Sequence, residues 1–234
     1  MPEVKFKPVS EAVMSQGIKM GVYGSAGSGK TFLCSTTGER TLMISAEAGL
    51  LSIKDASHIQ VYEVDSLEGV RIVYEHVRDN PDDFKWVCLD SISEIAERSL
   101  EAELRATKDP RKAYGEMAIK MTQVVKSFRD LPGTNVVFTA KLDREKDDAT
   151  GSMLYAPGAP GRQLGAQLPY YLDLIAALRV IPDQEGKLNR WLQTGQDAQW
   201  LCKDRSGKLD MWEEPNLATL QKKILGVKTT RKAA

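Results

Sequence analysis

The stretch Gly24-Ser25-Ala26-Gly27-Ser28-Gly29-Lys30-Thr31 follows a short apolar run, residues 18–23, and precedes a helix-forming segment that ends at Gly38. It satisfies the pattern GxxxxGK[ST] in the strand–turn–helix setting that the pattern requires. Glycines let the backbone wrap closely, so that successive amide N–H groups point at phosphate oxygens, and the helix N-terminus adds partial positive charge. Lys30 supplies a point charge to the β- and γ-phosphates, and the Thr31 hydroxyl is a ligand for Mg²⁺. The predicted nucleotide-binding residues are therefore Gly24, Ser25, Ala26, Gly27, Ser28, Gly29, Lys30, Thr31 and the adjoining Phe32. The predicted cofactors are ATP and Mg²⁺.

Apolar strands are predicted at 41–46, 59–64, 86–90 and 134–140, with helices at 66–79, 91–105 and 114–131 between them. Ser66 and Ser91 have the chemistry of helix N-caps, and Asn80-Pro81 and Pro132-Gly133 that of stops. Such alternation argues for an α/β fold with a mostly parallel sheet flanked by helices. Residues 107–111 form a polar break around Pro110. Residues 141–161 read as a long loop, charged at first and then rich in Gly and Pro. A short helix is expected at 163–170. Strands at 174–181, 187–194 and 199–203 then make an antiparallel C-terminal meander, and a last helix covers 216–225.

A phosphate loop needs a carboxylate across the sheet to hold Mg²⁺. Asp90 ends the apolar strand Trp86-Val87-Cys88-Leu89 and suits that task, so Thr31 and Asp90 form the predicted metal pair. Hydrolysis also needs a group that orients water. Two glutamates stand open on spacing alone. Glu47 ends the second strand and would face the γ-phosphate in a sheet where that strand lies beside the loop strand. Glu94 lies one turn into a helix, where it suits a capping box with Ser91.

The succession of strand, phosphate loop, helix, strand-Ser45-Ala46-Glu47 and strand-Leu89-Asp90-Ser91 resembles the RecA-like P-loop ATPase core, over residues 17–207. That resemblance implies Glu47 as the catalytic carboxylate. It places a first DNA loop at 107–114, with Lys108, Arg111, Lys112 and Tyr114, and a second at 141–161, with Lys141, Arg144 and Lys146, followed by Arg162. Lys203-Asp204-Arg205-Ser206-Gly207 resembles the Lys-x-Arg-x-Gly motif whose Lys and Arg reach the γ-phosphate of a neighbouring subunit in hexameric RecA-like ATPases. The chain also resembles the short phage RecA-like proteins of the Sak type. This implies ATP-dependent binding of single-stranded DNA in recombination or annealing, hydrolysis at the interfaces of a homo-oligomer, and a single-strand-binding protein as a candidate partner. A RecA-like helicase or helicase loader, or an ATP-gated DNA-binding assembly protein, stands as the alternative. One departure is plain: where RecA-type recombinases carry an Asn-Gln sensor pair, this chain reads Phe138-Thr139-Ala140-Lys141.

Composition narrows the classes further. Of 234 residues, 42% are apolar and 27% charged, and 32 Lys plus Arg balance 32 Asp plus Glu. With no net charge, any nucleic-acid contact must come from local patches. Cys34, Cys88 and Cys202 are scattered, without a CxxC pair, which suits a reducing cytoplasm, that of the host if a phage encodes the protein. No run of apolar residues reaches membrane-spanning length, and the first residues lack a signal-peptide pattern. The expected organisation is an N-terminal arm, 1–16, suited to a subunit contact, an ATPase core, 17–226, and a basic tail, 227–234.

Overall fold

Continuous burial explains the centre of the sheet. In the computed structural model β1 (Lys19–Gly24), β2 (Thr41–Ser45) and β4 (Trp86–Asp90) are buried along their whole length. Strands covered on both faces read as unbroken apolar runs rather than alternating ones. Alternation still sorts their side chains. Met20, Val22 and Cys88 face one helical layer, and Tyr23, Val87 and Leu89 the other. The structure describes residues 16–47, 49–147, 151–161 and 163–226, together with Phe6, Pro8, Val9 and Glu11. Arg162, the basic tail and most of the N-terminal arm lie outside the described residues.

With β3 (Ile59–Glu63), β5 (Asn135–Lys146), β6 (Met153–Gly158), β7 (Leu174–Pro182), β8 (Leu188–Gln193), β9 (Lys203–Asp204) and β10 (Trp212–Glu213), the described strands form one sheet. Its order is β10-β8-β7-β1-β5-β4-β2-β3, with β6 on β5 and β9 on β7. From β7 to β3 neighbours pair in parallel. The C-terminal ends of these strands therefore open on one edge, where open α/β sheets bind ligands.

Helices α2 (Leu67–Asp79), α3 (Ile92–Ala106), α4 (Pro110–Arg129) and α5 (Gln163–Tyr171) cover one face. Helices α1 (Lys30–Cys34) and α6 (Leu217–Ile224) cover the other. In α4 the buried Ala113, Met117, Met121, Val125 and Phe128 recur at helical spacing, as the sequence predicts. Pro110 takes its first turn, where a missing N–H costs nothing, and Asp109 caps it through the Arg111 and Lys112 amides. No helix of the described residues is long and apolar enough to cross a membrane.

Three expectations need correction. The segment 141–161 is no open loop: β5 runs on to Lys146 and pairs antiparallel with β6, from Lys141↔Gly158 to Lys146↔Met153. In this half of the strand only Leu142 packs on the core, while Lys141, Asp143, Arg144, Glu145 and Lys146 are all exposed. The third meander strand is also absent. Residues 199–201 instead bond to Tyr155, whose ring stacks on Trp200 at 4.3 Å, and the short β9 pairs with β7. Finally, the polar break after α3 shrinks to 107–109, because Asp109-Pro110 starts α4 directly.

Lys19, the first residue of β1, is only 3% exposed. Its ammonium donates to the Leu131 carbonyl at 2.8 Å and to that of Thr134, tying β1 to the end of α4. Burial lowers its pKa from 10.5 to about 8, against the opposing pull of Asp173 and Asp130. Between these values the unfolded chain holds a proton that the folded chain has lost, so stability rises with pH across the window. The penalty of the buried charge is full below about 8 and fades toward 10.5. In urea melts, wild type should gain about 2 kcal/mol relative to Lys19→Met between roughly pH 7.5 and 10. Parallel pH profiles for the two proteins would refute the buried-charge account.

Candidate functional site

The turn after β1 is shaped by its glycines. A Cβ on Gly24 would fall 2.6 Å from the Leu178 carbonyl and 2.7 Å from the Ser28 hydroxyl, and Gly29 sits at φ +101°. The Ser28 hydroxyl is buried without a hydrogen-bond partner among the described residues. Lys30 turns back over the turn, donating to the Gly24 carbonyl at 2.9 Å and the Ser25 carbonyl at 3.1 Å. Its pKa is lowered by burial, partly offset by Glu47 and Asp90 and lowered further by Lys141.

Asp90 closes the far side of the site. It is 3% exposed and accepts from Thr31 Oγ1 at 2.7 Å and from Thr139 Oγ1 at 2.5 Å. These two hydroxyls satisfy a carboxylate that would otherwise be costly to bury. Thr31 and Asp90 thus meet, as the sequence predicts. Among the described residues no group of three or more His, Cys, Asp or Glu is arranged to hold a metal. A cation at Thr31 and Asp90 would complete its shell with phosphate oxygens and water, the habit of Mg²⁺.

Glu47 reaches the same edge by another route than expected. Its strand, β2, does not lie beside β1: β5 and β4 intervene. The carboxylate is held from the β4 side, where Ser91 Oγ donates to Glu47 Oε1 at 2.6 Å. Ser45 Oγ bonds the Glu47 carbonyl, and Arg98 Nη2 the Ala46 carbonyl, fixing the strand end. Glu94 turns elsewhere. Its amide bonds Ser91 Oγ at 3.3 Å, as a cap, and its carboxylate pairs with Lys141 at 3.2 Å. A cleft of about 520 Å³ is lined by Ala26, Gly27, Gly29, Lys30, Thr31 and Phe32 together with Glu47 and Asp90. Those glycines and hydroxyls, a cation and two carboxylates fit a magnesium nucleotide.

Residues 16–206 match the family model described as AAA domain. The chain belongs to the AAA domain family. This AAA-domain protein is accordingly a P-loop ATPase. No curated protein matches it. Among solved structures it is similar to a KaiC-like protein, PH0186, of Pyrococcus horikoshii OT3, at 18% identity, with 76% of this chain and 77% of that one covered and a TM-score of 0.45. It is also similar to the RadB recombinase, at 18% identity, with 77% and 89% covered and a TM-score of 0.46.

Lys203 and Arg205 of this ATPase lie away from the cleft. Lys203 donates to the Pro169 and Leu172 carbonyls, and Arg205 to the Tyr170 carbonyl at 3.2 Å and to Asp173 at 3.4 Å. Both cations therefore sit at the C-terminus of α5, where carbonyls favour positive charge. They flank Leu174, which pairs with Met20 at the start of β1, so they lie at the opposite end of the sheet from their own phosphate loop. Lys108, Arg111, Lys112, Arg144 and Lys146 are exposed. Lys141 is paired with Glu97 at 2.6 Å as well as Glu94. Tyr114 is 42% exposed and its ring packs beside Gly161. Sequence reasoning missed Thr139, Ser91 as the Glu47 partner, and Arg190, whose Nε donates to the Ser28 carbonyl at 3.0 Å.

Glu47→Gln should bind Mg-ATP yet lose turnover by about 10²- to 10⁴-fold, the scale of a lost general base. Asp90→Asn should mainly weaken Mg²⁺ binding, seen as a raised Mg²⁺ requirement, while Glu94→Gln keeps most activity. Loss of turnover in Glu94→Gln but not in Glu47→Gln would reverse the assignment.

Proposed function

We propose that this protein is a RecA-like ATPase of the phage Sak type that binds single-stranded DNA, promotes its annealing or recombination, and hydrolyses Mg-ATP between copies of itself in the cytoplasm. The observation that carries the catalytic half is the pairing of two carboxylates across the cleft from Lys30. Asp90 is fixed by hydroxyls for a metal, and Glu47 is fixed by Ser91 for a water. A bound Mg-ATP supplies the phosphoanhydride and its charge. Lys30 and the loop amides hold that charge, and Glu47 orients a water and takes its proton.

The DNA half is supported by what the fold brings together. Tyr114 packs beside Gly161, so the first turn of α4, with Lys108, Arg111 and Lys112 near it, adjoins the return of the β5–β6 hairpin that carries Arg144 and Lys146. Arg144 and Lys146 lie toward the tip of that hairpin, roughly 10 and 17 Å along the strand from its base, and the exposed cations of both segments alternate with Asp109, Asp143 and Glu145, so DNA contact rests on individual cations of a chain of zero net charge. Fluorescence anisotropy with a labelled oligo-dT should show binding that strengthens with Mg²⁺ and a non-hydrolysable ATP analogue. Lys108→Ala, Arg111→Ala and Lys112→Ala combined should weaken it at least about tenfold and flatten its salt dependence. Absence of binding at low salt would overturn the DNA reading. Strand displacement without annealing would favour a helicase, and binding without turnover an ATP-gated assembly protein.

The assembly half is supported by the place of Lys203 and Arg205. In a head-to-tail arrangement the end of one sheet that carries them faces the phosphate loop of the next. We propose that they complete the neighbour's site, with residues 17–226 acting as one unit and the N-terminal arm, 1–16, as a subunit contact. Arg205→Ala alone should lose most turnover while melting like wild type. Mixing it with Glu47→Gln protein should restore activity, because some interfaces then join an intact Glu47 to an intact Arg205. No recovery in mixtures shown to co-assemble would exclude action in trans.

A further inference from the structure

Arg190 belongs to no motif, and it stands 162 positions from its partner in the phosphate loop. It lies on β8, two residues before Leu192, which belongs to the core layer shared with α1. Strand alternation therefore sends Arg190 to the α1 side, over the phosphate loop. There its Nε donates to the Ser28 carbonyl at 3.0 Å. A Cβ on Gly29 would lie 3.2 Å from that Nε and 3.4 Å from Cδ, so the side chain packs on loop backbone that a glycine leaves open. Arg190 is exposed, and among the described residues its two terminal nitrogens have no hydrogen-bond partner.

The cleft has two chemically different groups of lining residues. One holds Lys30, Thr31, Asp90 and Glu47, all suited to phosphates, metal and water. The other holds Phe32, Leu33, Leu178, Pro215 and Arg190: apolar surface, an aromatic ring 53% exposed, and one planar cation. In a nucleotide the phosphate chain and the base are opposite ends of one molecule. A triphosphate engaged by the first group leaves its base to the second.

We propose that Arg190 is a base-binding residue supplied by the same chain as the phosphate loop. Its guanidinium packs on the face of the purine, with Phe32 and Pro215 as the neighbouring walls. A delocalised, weakly hydrated guanidinium stacks well on a heterocycle, and the Ser28 bond fixes its plane before the nucleotide arrives. This inference rests on the Mg-ATP reading and adds to it the residue that distinguishes a nucleotide from a bare polyphosphate.

The test is isothermal titration calorimetry of the full chain with Mg-ATP, Mg-ADP and inorganic tripolyphosphate. Arg190→Ala should weaken ATP and ADP alike by about tenfold, the scale of a lost base-stacking contact, and leave tripolyphosphate within about twofold. Arg190→Lys should recover affinity only in part, since an ammonium has no plane to stack. Unchanged ATP affinity in Arg190→Ala, or full recovery in Arg190→Lys, would overturn the proposal. A parallel loss of tripolyphosphate would also overturn it, by making Arg190 a brace for the loop alone. If wild type binds tripolyphosphate and neither nucleotide, the base site is disproved while the phosphate site stands. If it binds none of the three, the Mg-ATP reading falls and this inference with it.

Discussion

The structure is organised around a buried negative charge. Asp90 lies at the centre of the sheet's ligand edge, almost out of contact with solvent, and an unsatisfied carboxylate there would cost several kcal/mol. It is satisfied by one hydroxyl from the helix of the phosphate loop and one from the neighbouring strand β5. Those two bonds tie together three elements that are separate in sequence. They fix the position of the Asp90 carboxylate beside the Thr31 hydroxyl, the two groups that would hold a cation.

From that anchor the arrangement of the remaining site follows from topology. Parallel pairing places the ends of β1, β2, β4 and β5 on one edge, so their following residues converge without long excursions. Ser91 has a double attachment. Its hydroxyl accepts the Glu94 amide at the start of α3 and donates to Glu47, so the geometry of a helix cap sets the geometry of a carboxylate from another strand. Arg98, one turn beyond Glu94 on α3, holds the Ala46 carbonyl and so steadies the same strand end from the same helix.

Much of this was legible in the sequence where a local rule applied. The phosphate loop, the run Trp86–Asp90 and the caps Ser66 and Ser91 each announce themselves within a few residues, and the structure places them as read. The hairpin of β5 and β6 was not legible. Its residues are mostly charged and exposed on one strand, without an apolar alternation, and end in Pro157 and Gly158 on the other, so composition suggested a loop. The segment around Trp200 misled for a different reason: its partner is Tyr155 of that unrecognised hairpin rather than the adjacent strand. Thr139 and Arg190 carry no local signal at all. A buried threonine and a lone arginine in a strand acquire meaning only when the sheet order brings them against Asp90 and Ser28.

Strand β5 is 12 residues long, about twice the length of its parallel neighbours β1 and β4. Its first half is clamped between those two strands, and its second half pairs with β6 as one arm of the hairpin. The base of that hairpin is fastened to α3, where Ser93 Oγ accepts from the Lys141 amide at 2.8 Å and donates to the Gly158 carbonyl at 2.6 Å. Further out, Leu142 packs on the core and the Tyr155 ring stacks on Trp200. The strand that brings Thr139 to Asp90 is thus splinted past the cleft as well as within the sheet, so the position of that hydroxyl is set by a beam longer than the sheet is deep.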